Sequence, residues 1–146
     1  MKIGICCDHH GVNIKDDLIN MLKENNYEVI DYGTDKDNPV DYPDLAFLLG
    51  SKIGSEVDLG ISMCKTGIGM SICLNKVKNI RCAHAETVKE AELSRLHNNA
   101  NALAFSTEIP IETIKKIILT FVSTSFSNEE RHINRIKKIS NYERNN

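Results

Sequence analysis

The pattern of apolar and polar positions along the chain predicts five strands that alternate with helices. Lys2–Cys7 is a short apolar run without a helical period, which is typical of a buried strand. The next segment carries apolar residues at i, i+4, i+7 and i+8 from Ile14, which predicts an amphipathic helix that stops at Asn25-Asn26. We also expect strands over 28–32, 59–64, 81–83 and 102–105, and helices over 42–53, from about Gly69, over 88–98, from Pro110 and from Asn128.

Alternating strands and helices predict an α/β fold with three layers, in which a doubly wound parallel sheet of five strands is covered on both faces. The helix predicted after Asn128 is an extra C-terminal element with an apolar stripe at Ile133, Ile136 and Ile139. Ligands of such sheets bind at the carboxyl ends of the strands. The segments there are 8–10, 64–69 and the region around Ser106, and we expect them to converge on one edge.

Composition narrows the possible function classes. The 146 residues, 41% of them hydrophobic, suit one globular domain over 1–146. A formal net charge of −2 gives no overall basic field, so we expect no nucleic-acid partner. No apolar run approaches the length that spans a bilayer, and 1–7 is too short for a signal peptide, so we expect no membrane partner. The five cysteines form no Cys-x-x-Cys pair, which indicates reduced thiols and a cytoplasmic location.

Cys64 heads a glycine-containing turn over 64–69 (CKTGIG), between a predicted strand and a predicted helix. Glycines there allow a ligand to approach closely, and successive N–H groups can point at one anion. A thiol near a helix N-terminus forms thiolate more readily, and the ammonium of Lys65 acts in the same direction. Cys64 is therefore a candidate catalytic residue, and the alternative is that it is a small buried hydrophobic residue.

A carboxylate and two imidazoles, Asp8-His9-His10, follow the first predicted strand. They could bind a metal, perform acid–base chemistry or hydrogen-bond a polyol. A metal site needs further ligands, and the chain has no His-Glu-x-x-His or paired Cys-x-x-Cys pattern, so we expect no metal. Asp8 could also simply cap the following helix.

Two further polar groups lie towards the C-terminus. His97 and Asn98 end a predicted helix, where a histidine is often only a favourable contact with the helix dipole. Arg131 and Arg135 are one turn apart on the last helix and could clamp a phosphate. The alternative for the two arginines is a solvated basic face paired with Glu129 or Glu130.

Taken together, these residues resemble the type B ribose-5-phosphate isomerase family, which includes galactose-6-phosphate and allose-6-phosphate isomerases. The resemblance runs from Lys2 to about Tyr142. It is carried by Cys7-Asp8-His9, Asp41-Tyr42-Pro43, Cys64 with Thr66-Gly67-Ile68-Gly69, Asn75-Lys76, Leu93-Ser94-Arg95 with His97-Asn98, Asn101, and Arg131-His132 with Arg135.

The resemblance implies a Rossmann-like domain that forms a homodimer or tetramer, with active sites at the dimer interface, a phosphorylated aldose or ketose as substrate, and no cofactor or metal. It implies that Cys64 moves a proton between C1 and C2, that His97 assists ring opening and that Thr66 is catalytic. The residues implied to bind the substrate are Asp8, His9, Lys65, Gly67, Ile68, Gly69, Asn98, Arg131 and Arg135.

This assignment makes chemical sense. Proton abstraction beside a carbonyl forms an enediolate, whose oxyanion needs preorganised donors, and one thiolate can serve both carbons. The phosphate supplies remote binding energy. The expected reaction interconverts ribose 5-phosphate and ribulose 5-phosphate in the non-oxidative pentose phosphate pathway. The alternatives are isomerisation of allose 6-phosphate or galactose 6-phosphate, and a non-catalytic sugar-phosphate-binding module.

Three positions depart from the family pattern. Lys65 stands where the family usually has glycine, and Glu108 stands where it has an arginine that binds phosphate. Glu130 replaces a common glycine before Arg131. A carboxylate at position 108 repels phosphate, and Lys65 could restore the positive charge. These departures bear on the identity of the substrate.

Overall fold

The computed structural model describes residues 1–35 and 38–146, so Lys36 and Asp37 of the predicted loop at 35–39 lie outside the described residues. The elements alternate as predicted. The strands are β1 (Lys2–Cys7), β2 (Glu28–Asp31), β3 (Leu59–Cys64), β4 (Cys82–His84) and β5 (Ala102–Ser106). The helices are α1 (Val12–Glu24), α2 (Tyr42–Lys52), α3 (Ile68–Leu74), α4 (Val88–Asn98), α5 (Ile111–Ser123) and α6 (Glu130–Asn145), with a 3₁₀ turn at His9–Gly11.

The five strands form one parallel sheet in the order β2-β1-β3-β5-β4, which confirms the predicted doubly wound α/β fold. β2 lies on one side of β1 and β3 lies on the other, and the carboxyl ends of strands at such a switch point are the usual place for a ligand site. The ends of neighbouring strands are in register, since Cys7 pairs with Met63 and Cys64 pairs with Ser106. The three segments predicted to converge on the carboxyl edge therefore do so.

Side chains of each central strand alternate between two apolar clusters. Ile61 and Met63 belong to the cluster under α1, α4 and α5, whereas Cys64 belongs to the cluster under α2 and α3. This alternation is what a sheet covered on both faces requires. All five cysteines are free thiols. Among the described residues, no helix is long and apolar enough to cross a membrane.

α6 packs differently from the other long helices. It rests against α4, and of its sixteen residues, all of them described, it buries His132 alone. The predicted stripe is present but only partly covered: Ile133 and Ile136 are half-buried, whereas Ile139 is 52% exposed and Tyr142 beyond it is 73% exposed. The helix also begins two residues after Asn128, which adopts a left-handed φ of 59° and does not cap it.

Candidate functional site

The turn after β3 holds the thiol of Cys64 in a defined position. The side chain is 5% exposed, and the N–H of Gly67 donates a hydrogen bond to its Sγ over 3.1 Å. Gly67 has a φ of +77°, and a Cβ there would lie 2.6 Å from the carbonyl carbon of Phe105. Only glycine fits both the conformation and the close approach. The Cys64 sulfur therefore has a backbone N–H donor aimed at it.

The N–H groups of this turn divide into two sets. Gly67 donates to Cys64, and Ile68 donates to Oγ1 of Thr66 over 3.2 Å, so both are used inside the turn. The N–H groups of Lys65, Thr66 and Gly69 have no hydrogen-bond acceptor among the residues that the structure describes. These three donors beside the thiol form a ready site for an oxyanion.

Two side chains from neighbouring strands hold the carbonyl groups of the turn. Ser106, at the end of β5, donates its hydroxyl to the Lys65 oxygen over 2.6 Å and accepts the Glu108 N–H over 3.1 Å. His84, at the end of β4, places Nε2 2.9 Å from the Thr66 oxygen, which requires a proton on Nε2. His84 was not among the predicted site residues, and the only signal for it in the sequence is its position at the end of a short, weakly predicted strand.

Asp8 follows β1 at the same edge and is 4% exposed. Its Oδ1 accepts the His10 N–H over 2.9 Å, and its Oδ2 lies 3.2 Å from Nδ1 of His10. Asp8 therefore caps the 3₁₀ turn, as the alternative interpretation predicted. The His9 ring contacts the His10 ring in a tilted arrangement, with 4.0 Å between centroids and 40° between planes, and Nδ1 of His9 is buried with no partner among the described residues.

Asp8, His9 and His10 each offer one ligand atom, and these atoms lie within 4.8 Å of one another. Among the described residues (1–35 and 38–146), this is the one cluster of three or more His, Cys, Asp or Glu side chains that could hold a metal ion. The expectation that no metal binds here stays a prediction. Tyr42 closes the same edge: its ring packs on Gly69, where an added Cβ would lie 2.6 Å from a ring atom.

His97 lies elsewhere, near the end of α4, where its ring stacks on that of His132 at 4.4 Å between centroids and 16° between planes. Burial, together with the nearby positive charge of Arg131, lowers the pKa of His132. Arg131 donates from Nε to Glu129 over 3.0 Å, so the predicted alternative of a pair with Glu129 is present in the isolated chain. Arg135 is exposed one turn further along α6.

The two groups of predicted site residues occupy opposite edges of the sheet. α4 ends at Asn98, just before β5 begins at Ala102, whereas Cys64 is level with the last residue of β5, Ser106. Four residue steps along β5 separate the edges by about 13 Å, at roughly 3.3 Å per residue. One chain therefore brings Asp8, His9 and the 64–69 turn together, and leaves His97, Asn98, Arg131 and Arg135 at the other end.

Comparisons with known proteins agree with the fold and the resemblance. A family model described as Ribose/Galactose Isomerase matches residues 3–139. The Bacillus subtilis protein YwlF is 44% identical over 149 residues, which cover 100% of this chain and 99% of YwlF. Ribose-5-phosphate isomerase B of Escherichia coli is 37% identical, with 95% of this chain and 94% of that protein covered.

Solved structures of proteins with similar sequences also share the fold of this chain. Ribose-5-phosphate isomerase B of Clostridium thermocellum superimposes with a TM-score of 0.95 at 40% identity, covering 99% of both chains. That of Mycoplasma genitalium, solved with bound ribulose-5-phosphate, has a TM-score of 0.94 at 37% identity and covers 99% of this chain and 97% of that one. The resemblance to type B ribose-5-phosphate isomerases is confirmed.

Proposed function

Because the chain belongs to the ribose/galactose isomerase family, we propose that it interconverts ribose 5-phosphate and ribulose 5-phosphate. The observation that carries the proposal is the buried Cys64 thiol beside three N–H groups without acceptors among the described residues. The similar M. genitalium protein binds ribulose-5-phosphate in its solved structure. The finer proposal is that this chain acts as one cytoplasmic domain, in the non-oxidative pentose phosphate pathway, without metal or cofactor.

In this mechanism the thiolate of Cys64 removes the proton from C2 of the open-chain aldose. The C–H electrons form the C1–C2 double bond, and the carbonyl π electrons move to O1, which the free N–H groups of the turn stabilise. A proton passes from the C2 hydroxyl to O1. The O2 lone pair then forms the C2 carbonyl while the C1–C2 π electrons take the proton from the Cys64 thiol at C1, which gives the ketose and regenerates the thiolate. Thr66 accepts the Ile68 N–H through Oγ1, so its hydroxyl hydrogen is free to donate to a sugar oxygen. Asp8 and His9 hold the sugar hydroxyl groups from the end of β1.

Ring opening by His97 requires a second copy of the chain, because His97 lies at the opposite edge of the sheet from Cys64. α3 carries a face suited to that contact, with Ile68 53% exposed and Ile72 56% exposed one turn apart. A two-fold axis that lies in the interface and crosses α3 at a right angle makes the two helices antiparallel. The carboxyl edge of each subunit then faces the amino edge of the other.

This arrangement completes two equivalent sites. Each would combine Cys64, Asp8 and His9 of one subunit with His97 and Asn98 of the partner subunit. Arg131 and Arg135 would come from the partner as well, and would bind the phosphate by charge-assisted hydrogen bonds. The exposed apolar positions of α6, Ile139 and Tyr142, also need a covering surface, which supports assembly.

The first experiment is a coupled isomerase assay with ribose 5-phosphate, allose 6-phosphate and galactose 6-phosphate as separate substrates. Cys64→Ala should abolish turnover while the protein stays folded, and Cys73→Ala is the matched control because Cys73 is a buried thiol of the same cluster outside the turn. Turnover of a six-carbon phosphate alone would contradict the proposed substrate. Full activity of Cys64→Ala would contradict the mechanism.

The second experiment tests the shared site. Cys64→Ala and His97→Ala are each inactive as homodimers, but after subunit exchange a mixed dimer holds one site built from two intact halves. Random exchange should therefore restore about one quarter of the wild-type activity, because half of the dimers are mixed and each has one working site of two. No recovery after proven exchange would place the whole site within one chain.

A further inference from the structure

A lysine lies buried behind the candidate site, and the mechanism above does not use it. Lys15 of α1 is 1% exposed. Its Nζ donates to Oδ2 of Asp31 at 2.8 Å, to Oδ1 of Asp35 at 2.5 Å and to the Thr34 carbonyl oxygen at 2.7 Å. All three N–H bonds of the ammonium group are thus engaged. A lysine is almost never fully buried unless it is paired, so this arrangement needs an explanation.

The three acceptors belong to one turn, 31–35, which continues from β2. Lys15 contacts the first and last residues of the turn and the carbonyl oxygen before its end. Asp31 uses its second oxygen, Oδ1, to accept the Gly33 N–H over 2.8 Å. The ammonium group therefore holds the turn at both ends, through Asp31 and Asp35, and at the Thr34 carbonyl oxygen between them.

This turn in turn supports the end of β1. The regular pairing of β1 with β2 stops at Ile5 opposite Asp31, although β1 continues to Cys7. Beyond that pair, Gly33 lies against β1 so closely that a Cβ on it would be only 2.7 Å from the Cys7 nitrogen. The Thr34 N–H donates to the Cys7 oxygen over 3.4 Å. The next residue of the chain is Asp8.

We propose that Lys15 is a positioning residue for the sugar-binding end of β1. By clamping the 31–35 turn against Cys7, it sets the positions of Asp8 and His9, with which it shares no hydrogen bond among the described residues. The proposal rests on the proposed isomerase function for its kinetic consequence, but the clamp itself is a structural claim that can be measured without activity.

The charge state supports a permanent clamp. Burial by itself lowers the pKa of a lysine, but the hydrogen bonds to Asp31 and Asp35 raise the pKa of Lys15 above its ordinary value. Because the group is charged at neutral pH, its three hydrogen bonds are charge-assisted and of the stronger kind. Losing the ammonium would leave Asp31, which is partly buried, without its counter-charge.

The test compares Lys15→Met with the double variant Lys15→Met/Asp31→Asn. The single variant removes the hydrogen bonds of Lys15 and leaves the Asp31 carboxylate without its counter-charge. The double variant also removes the charge at position 31, while the asparagine oxygen can still accept the Gly33 N–H. We expect both variants to raise KM for the sugar phosphate about tenfold or more, since displacement of binding groups by about 1 Å is this costly, with a smaller change in kcat. We expect the double variant to recover much of the lost thermal stability but not the KM.

Hydrogen–deuterium exchange of the peptide that covers 6–11 gives the readout that needs no activity. It should exchange faster in both variants than in the wild type. Lys89→Met is the matched control, because it removes an exposed lysine–glutamate pair on α4, with Glu92 at 2.8 Å, and should change neither exchange at 6–11 nor KM.

Two results would overturn the proposal: an unchanged KM and unchanged exchange in Lys15→Met, or a double variant that recovers KM together with stability. If Lys15→Met does not fold, the double variant decides the question. If the wild type turns over none of the sugar phosphates, the proposed function fails, and the exchange data still test the clamp.

Discussion

The close approach of the 64–69 turn to β5 can be tested with one methyl group. Gly67→Ala places a Cβ 2.6 Å from the carbonyl carbon and 2.8 Å from the carbonyl oxygen of Phe105, a buried residue of the central sheet. These are backbone atoms, so no side chain can rotate to make room. Gly54 also has a positive φ, of +89°, but an added Cβ there meets nothing within 4 Å. Gly54→Ala is therefore a control for backbone strain without the clash.

The expected magnitudes follow from these two environments. An alanine held at positive φ costs about 1–2 kcal/mol, partly offset by the roughly 0.4–1 kcal/mol that alanine gains by restricting the unfolded chain. Gly54→Ala should therefore cost about 1 kcal/mol. Gly67→Ala adds the cost of overpacking, about 1–3 kcal/mol, so its free energy of unfolding should fall by about 2–4 kcal/mol.

The effect on activity should be larger than the effect on stability. Moving the turn away from Phe105 shifts the Gly67 N–H, which donates to Cys64, and the neighbouring N–H groups that would stabilise the oxyanion. Loss of one such donor typically costs about 100-fold or more in kcat, so Gly67→Ala should lose at least that factor, while Gly54→Ala keeps wild-type kcat.

Urea denaturation and the coupled isomerase assay, applied to both variants at a temperature where both are folded, measure these quantities. If Gly67→Ala is no less stable than Gly54→Ala and turns over at the same rate, then the turn does not depend on contact with β5. The account of why glycine stands at position 67 would then be wrong.

Two further predictions concern the surfaces away from this turn. Ile72→Asp puts a charge on the exposed face of α3, so it should convert the protein to monomers, as measured by sedimentation equilibrium, and abolish isomerase activity. Lys89→Asp, which changes an exposed side chain of α4, is the control. An Ile72→Asp variant that stays dimeric would exclude α3 from the interface. Stability should fall as the pH drops below about 6.5, because the lowered pKa of folded His132 lets the unfolded chain bind more protons there. Chemical denaturation between pH 5 and 8 measures this slope, and His132→Asn should flatten it; an equal slope in both proteins would assign it to other groups.

Much of the fold could be predicted because its signals are local. The strands β1 and β3 could be predicted from short apolar runs in the sequence, because a strand covered on both faces has no polar side. α5 shows the clearest apolar stripe and is buried along it at Ile114, Ile117 and Phe121. The convergence of Asp8, Cys64 and Ser106 also followed from the sequence, because parallel strands end at one edge.

The remaining features depend on contacts between distant segments. His84 reaches the 64–69 turn only because β4 lies beside β5, and the pairing of Lys15 with Asp35 spans twenty positions that no periodicity links. The stripe of α6 has the right period, yet one chain covers it only in part, with Ile139 exposed. A hydrophobic period shows that a face is to be buried, and it does not show whether the same chain or a second copy buries it.

The proposed division of the site between two edges would link substrate binding to assembly. If the base and the sugar-binding groups lie on one subunit and the phosphate arginines on the other, substrate binds only to the dimer, and so it must stabilise the dimer by mass action. The partner's contribution matters more here because the edge that holds Cys64 carries the carboxylate of Glu108 as well as the ammonium of Lys65, both tied to the Ser106 hydroxyl through their backbones. Those opposite charges offer a phosphate little net attraction, so in the proposed dimer its affinity would depend on Arg131 and Arg135 of the other subunit. Dilution should therefore raise the apparent KM as the dimer dissociates, and added ribose 5-phosphate should shift dissociation to lower protein concentration.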